Sequence, residues 1–417
     1  MDQSQKRLIT YAVAAIVVLF ILFVVCRLAL REPSTSTQQE PPKTEPTKPL
    51  PRQTSPDFLA SDDQPSEPPV NQAEESVVTN AAQIYRQAFA LYNALSKDEK
   101  GLLVDWRTNV DSSVEAELCE KMRPICDLMH QATAVTNCDW GVEPITIDSQ
   151  LPHLNPAHAV SRAAIWNAAH CRREDRPGAA EDVLSTLQLG RSVSHSALIG
   201  SLVYMAIQGI AESYVATNIG MFRGSESQRL SVLLTDPAYK KVPAVAMEQE
   251  ATISESLIAK TAALPADEFQ RVYSELVKEE TPTDQPGEGM PEIDRAAVLA
   301  NLQQVVESQR ALAKALASGS SDVYEEWLQQ RDELEQSNPL AKTFLTFDKY
   351  VERADRSAVN RALAVAGLAV AEEGASALQS HPDPVTGQPF VYTETADGFE
   401  LQSGFQTNGV PLKMQFK

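Results

Sequence analysis

The 417-residue chain reads as mainly α, with one N-terminal transmembrane helix, a proline-rich linker, a multi-helical body and a small C-terminal β-hairpin, and three patterns predict this. An uncharged apolar run fills residues 8–26 and gives way at once to proline-rich polar chain. From Val77 to about Gln379, apolar residues recur at three- and four-residue steps. Beyond that point the chain switches to turn chemistry and alternation. The implied divisions are an anchor over 1–31, a linker over 32–76, a helical domain over 77–380 and a β-hairpin segment over 381–417.

The apolar run starts at Leu8 and passes through Ile16 and Phe20 to Cys26. At roughly 1.5 Å per residue such a helix reaches about 28 Å, close to the hydrocarbon thickness of a bilayer. Thr10 can satisfy its hydroxyl on its own helix, and Tyr11 suits an interface. A cleaved signal peptide would have a shorter apolar region and a small-x-small site, and Arg27-Leu28-Ala29-Leu30-Arg31 offers none. Lipoprotein processing at Cys26 is opposed by the bulk of Phe23-Val24-Val25. The run therefore predicts an uncleaved, single-pass anchor in the lipid bilayer. Lys6 and Arg7 on one side nearly balance Arg27 and Arg31 on the other. A short basic N-terminus ordinarily stays in the cytoplasm, which places the anchor in the inner (cytoplasmic) membrane and the body in the periplasm.

Ten of the 26 prolines fall between Pro33 and Pro69, among Ser, Thr, Gln and Glu. Too little apolar surface is available there to offset chain ordering, so residues 32–76 predict a stiff, disordered spacer. Residues 1–31 hold Lys6, Arg7, Arg27 and Arg31 against Asp2, and the remainder carries 32 basic against 55 acidic groups. That field disfavours nucleic acid and anionic lipid as partners of the body.

In the body, Val78, Ala81, Ala82, Tyr85, Phe89, Tyr92 and Leu95 line one helical face. Ser96 and Glu99 have capping-box spacing and open a short helix toward Leu103. The next helix is expected over about 111–134, with Pro124 as a kink or break. Asn155-Pro156 predicts an N-cap and first helical residue. Residues 156–195 read as a helical hairpin turning at Pro177-Gly178, partly like a tetratricopeptide unit, although no thirty-four-residue period continues it. Residues 197–216 are apolar on most sides and predict the central buried helix, with a second membrane span as the rival reading. Further helices are expected at about 225–235, 243–263, 266–279, 292–318, 320–336 and 339–379. A loop is expected over Thr281–Gly289, and 292–318 and 339–379 are long enough to pair as an antiparallel arm. At the end, Asp383–Gly387 is a turn, Pro389–Thr393 a strand and Ala396-Asp397-Gly398 a hairpin turn. Phe399–Gln402 answers that strand, and Leu412–Phe416 offers a third.

The segments Asn80–Tyr85, Cys138-Asp139-Trp140-Gly141, Leu151-Pro152-His153-Leu154 and Ser201-Leu202-Val203 together resemble a family of uncharacterised, membrane-anchored or exported helical proteins of planctomycete-type bacteria. Its members often end in an Asp-Pro-x-x-Gly-x-Pro hairpin, matched from Asp383 to Pro389, which resembles the tail of some pseudopilin-like proteins. The resemblance covers most of 77–403. It departs after Gly404, where Gln406-Thr407-Asn408-Gly409 stands in place of an acidic, glycine-rich ending. It implies anchoring and export, and brings no activity with it.

Four cysteines lie beyond the anchor: Cys119, Cys126, Cys138 and Cys171. In an oxidising compartment an even number suggests disulfides. Cys119 and Cys126 share a helix face but stand about 10 Å apart, too far to bridge each other. Each would have to reach Cys138 or Cys171, which leaves two connectivities open; at least one disulfide is expected. Cys119, Cys126 and His130 could be combined with His153, His158 or His170-Cys171 into a zinc set. Tight Cys-x-x-Cys or His-Glu-x-x-His spacing is missing, so no metal and no cofactor is expected. Glu99, Glu117 and Asp182 fall on polar faces without forming a carboxylate pair, and there is no Walker loop, dinucleotide glycine pattern or nucleophile elbow.

The first functional expectation is an anchored extracytoplasmic helical scaffold that binds a protein or peptide. The second is an envelope hydrolase with a site near Cys138, His153 and His158. A secretion or pilus accessory role rests on the C-terminal hairpin alone. The lack of catalytic motifs favours binding over enzymatic activity.

Overall fold

A computed structural model describes residues 79–417 apart from 143–144, 147–148, 173–175, 195–196, 271–293, 339–340, 342–346 and 408. The expected anchor (Leu8, Ile16, Phe20, Cys26), the linker, most of the 266–279 helix and the 281–289 loop lie outside these residues. What is described is mainly helical, with a small three-stranded antiparallel sheet at the C-terminal end.

Helix α1 (Ala81–Ala94) starts where the Asn80 side chain accepts from the Ala82 amide, and it buries Tyr85, Phe89 and Tyr92. The expected capping box forms at α2 (Lys97–Leu102), with Ser96 and Glu99 satisfying each other's backbone N–H. Helix α3 (Ser112–Thr133) runs through Pro124 as one helix and does not break there. Pro124 and Glu120 are both exposed, so the Glu120 carbonyl that loses its partner faces water. Helix α4 (Leu154–His170) begins ahead of the expected cap: Asn155 and Pro156 sit inside its first turn, where proline's missing N–H costs little. The same reason moves Pro177-Gly178 from the inter-helix turn into the first turn of α5 (Arg176–Val193).

Helix α6 (Ala197–Thr217) is long and apolar enough to cross a membrane, yet half of its apolar window is buried within the protein. It packs on α4 and α5, on α8 (Ala238–Ala263) and on α11 (Asp348–Glu373), which makes it the central helix. Gly190 on α5 lets it approach closely, since a Cβ there would stand 3.0 Å from Ile207 of α6. Its first residue, Ala197, is left-handed (φ 60°), and the exposed amides of that end are taken by Gln249 and Glu250 of α8. Helix α7 (Ser225–Leu234) joins α6 to α8, which begins earlier than expected and carries Pro243 internally. Among the described residues the two long C-terminal helices, long enough to pair, do not pack along each other. Helix α9 (Arg295–Ser318) lies along α8 and α10 (Ser321–Ser337), while α11 runs beside α6 and under the sheet. Trp327 fixes the α8–α9–α10 group, burying its ring and donating to the Ser308 carbonyl at 3.0 Å.

The strands are β1 (Val391–Thr395), β2 (Gly398–Thr407) and β3 (Val410–Phe416), paired in that order. Thr395 pairs with Gly398 across the turn predicted from Ala396-Asp397-Gly398, with Ala396 and Asp397 as its two loop residues. Phe399, Leu401 and Ser403 alternate onto the inner face, where Phe399, Leu401 and Phe416 join Leu363, Tyr214 and Ile165 in one core. The third strand therefore belongs to the main core. Gly367 of α11 makes room for it: a Cβ there would meet the Phe416 ring at 2.1 Å. Each large side chain buried in this way contributes about 1.5–3 kcal/mol.

Candidate functional site

Cys119 of α3 is bonded to Cys171, the residue that ends α4, with a Cα–Cα distance of 5.6 Å. Cys126 and Cys138 keep free thiols. The cross-link ties two helices of the second core cluster, where Trp140, Trp166, Met122 and Ile125 are buried. His170, next to Cys171, places one ring nitrogen 2.8 Å from Glu115 and the other 2.9 Å from the Trp106 carbonyl, and it stacks on Trp166. Glu99 and Glu117 share Lys121, 2.6 Å from each, at the surface.

The residues that could be combined into a zinc set are dispersed. Among the described residues no group of three or more His, Cys, Asp or Glu could hold a metal ion. Cys119 and Cys171 are consumed by the disulfide, and His130 turns to Asp182. Asp182, expected on a polar face, is fully buried and joins three helices. His130 Nε2 of α3 lies 2.7 Å from its Oδ1, Asn167 of α4 donates to Oδ2 at 2.7 Å, and Arg172 Nε stands 3.4 Å from the same oxygen. Burial, followed by the nearby Asp182 carboxylate, pushes the Cys126 thiol well above its ordinary range. A buried protonated thiol is a poor nucleophile.

His153 and the connector that carries Cys138 take part in packing. His153 lies flat on Trp140, ring centroids 4.5 Å apart, in a stack that continues through Phe89 and Tyr85. Arg86 covers the Trp140 ring and donates to its carbonyl at 2.5 Å, while Trp140 Nε1 donates to the Ser192 carbonyl. Burial, reinforced by Arg86, lowers the His153 pKa to about 4, so the ring is neutral at pH 7. Burial also lowers the His158 pKa and raises the Cys138 thiol. The Cys-Asp-Trp-Gly run thus folds as a connector clamped onto α1 and α5, with Asn80 bonding both the amide and the carbonyl of Asp139.

A buried polar seam that sequence spacing does not reveal runs between α6, α8 and α11. Gln208 donates to Glu212 at 2.6 Å and accepts from Ser357 at 3.4 Å. Arg361 donates to the Tyr204 hydroxyl at 3.0 Å and lies over the Tyr239 ring, which stacks on Tyr204. Glu212 Oε2 and the Tyr239 hydroxyl are buried without a hydrogen-bond partner among the described residues. Burial raises the Glu212 pKa from 4.5 to about 8, against the opposing pull of Arg361 and Gln208. Between these two values the folded chain holds a proton that the unfolded chain has released. Stability from this group is therefore complete below about pH 4.5 and is lost as pH rises toward 8. Glu212→Gln is expected to flatten that decline, by up to about 1.4 kcal/mol per pH unit, in urea melts taken between those pH values. Parallel pH profiles for the two proteins would remove Glu212 from the account.

The Asp-Pro-x-x-Gly turn closes as expected, with the Gly387 amide donating to the Asp383 carbonyl at 2.8 Å. Asp383 is buried, and its carboxylate accepts from Ser403 Oγ (2.6 Å) and from the amides of Gly404 (2.8 Å) and Val385 (2.9 Å). It docks where the β2–β3 register shifts between Gln402 and Gln406. Burial opposes ionisation, but these donors bring its pKa below the ordinary value. The turn covers one end of β2, and β1 is an edge strand of the sheet, exposed from Val391 to Glu394. Val391 and Tyr392 of β1, Val385 of the turn and Val410 of β3 are exposed apolar side chains. Comparison of the chain with protein-family models, curated proteins and solved structures finds no match.

Proposed function

We propose that the chain is a single-pass protein of the inner membrane whose helical body stands in the periplasm on the proline-rich linker and binds a protein or peptide there. The observation that carries this reading is the Cys119–Cys171 bond between two core helices, since structural disulfides persist in oxidising compartments. The apolar run 8–26 and the resemblance to anchored, exported planctomycete-type proteins agree with it. The binding role draws support from the packing duties of Cys138 and His153 and from the exposed sheet edge.

A topology reporter fused after Lys417, combined with thiol alkylation of denatured protein from cells, tests the location. Without reductant, three thiols are expected to react (Cys26, Cys126 and Cys138), and all five after reduction. A cytoplasmic reporter signal, or five reactive thiols without reductant, overturns the periplasmic assignment. Gentle crosslinking in membranes tests the binding role, which fails if no specific partner is retained.

A further inference from the structure

Strand β1 pairs on one side with β2, and its other side has no strand among the described residues. It is five residues long and carries no proline or lysine, and its pairing with β2 runs without a bulge. Proline, lysine and bulges are among the devices by which natural sheets blunt an edge, and the one charge that β1 carries is Glu394. Thr395 pairs with Gly398 across a two-residue turn, and this fixes the alternation of the ladder. Val391, Thr393 and Thr395 exchange bonds with β2, so the N–H and C=O groups of Tyr392 and Glu394 point outward.

Side-chain facing adds a second observation. Tyr392 and Glu394 stand opposite Leu401 and Phe399, whose side chains enter the core. Both are nevertheless exposed, Tyr392 to 38 %, so at this edge the sheet overhangs the helices. The overhang is acidic. Glu394 and Asp397 are exposed with no ion pair among the described residues, whereas Glu400, one strand inward, is matched by Lys413 at 2.8 Å.

We propose that the β1 edge receives a fourth strand from an extended cationic peptide segment of a partner protein. An apolar side chain would cover Tyr392, and a Lys or Arg would sit beside Glu394. Main-chain bonding to Tyr392 and Glu394 supplies affinity, and the alternating side chains supply choice of partner. A second copy of this chain is the poorer occupant, because two chains of net charge −20 repel. The inference rests on the protein-binding role proposed above and adds its surface and its chemistry.

The full chain is titrated with a short dye-labelled peptide alternating valine and lysine, and with its valine–glutamate counterpart. Binding is read by fluorescence anisotropy at about 150 mM salt. Saturable binding of the lysine peptide is expected, at least about tenfold tighter than the glutamate peptide. Glu394→Pro removes one outward N–H and one carboxylate but leaves the β2 ladder, and it should weaken binding by about tenfold or more. Glu394→Lys keeps the backbone and should invert the preference between peptides. No saturable binding overturns the proposal. Binding untouched by both substitutions also overturns the edge as the surface, while leaving the protein-binding role standing.

Discussion

Asp182→Ala is expected to lower the stability of the folded body by about 3–5 kcal/mol, the cost of removing one partner from a buried charged pair. The carboxylate is fully buried and draws together His130 of α3, Asn167 of α4 and Arg172 just after it. Without it, the Asn167 amide loses its acceptor in the interior, and Arg172 keeps Asp127 but loses its buried carboxylate partner. Asp182→Asn retains the shape and one acceptor oxygen, so it should fall between the wild type and the alanine variant. Denaturant midpoints for the three proteins check the order. A loss below about 1 kcal/mol for alanine would mean that water reaches the site and that Asp182 is not the joint between the helices.

The second large effect is expected on removing the disulfide. Cys119 and Cys171 are 52 residues apart, and closing a loop of that size restricts the unfolded chain by about 4 kcal/mol in the chain-entropy description. The double variant Cys119→Ala/Cys171→Ala should lose stability of that order at equilibrium, and reduction of the wild type should reproduce it. Cys126→Ala serves as the control. It removes a buried thiol without opening a loop and should cost the smaller amount typical of a small cavity. If the two variants lose equal amounts, packing and not the cross-link accounts for the effect.

Legibility in the sequence tracks the distance over which each feature is decided. The Ser96–Glu99 capping box and the Ala396-Asp397-Gly398 hairpin turn are settled within a few residues, and both form where the spacing places them. Helix α6 was legible from composition, because few exposed positions tolerate so continuous an apolar run. Prolines misled where solvent or a first turn absorbs the missing N–H, as at Pro124, Pro156 and Pro177. Pairings decided by topology were the least visible. Helical spacing excluded Cys119–Cys126 but could not choose Cys171 over Cys138. Likewise nothing near Glu212 announces that Arg361 will lie beside it, or that α9 will pair with α8 and not with α11. Asp182 misled most directly. A carboxylate in an amphipathic stretch reads as solvated until its partners on two other helices are known.

Phe416 seated against Gly367, with the Lys417 amide donating to the Ala216 carbonyl at 3.1 Å, also sets an order of events during synthesis. Every helix of the body leaves the ribosome before the strand that covers α11 and reaches α6. A nascent chain therefore travels with that apolar surface uncovered until Phe416 emerges. Contacts that span so much of the chain also form slowly, because distant segments must meet before they are rewarded. Under the periplasmic location proposed above, that delay keeps the chain threadable while it crosses the bilayer.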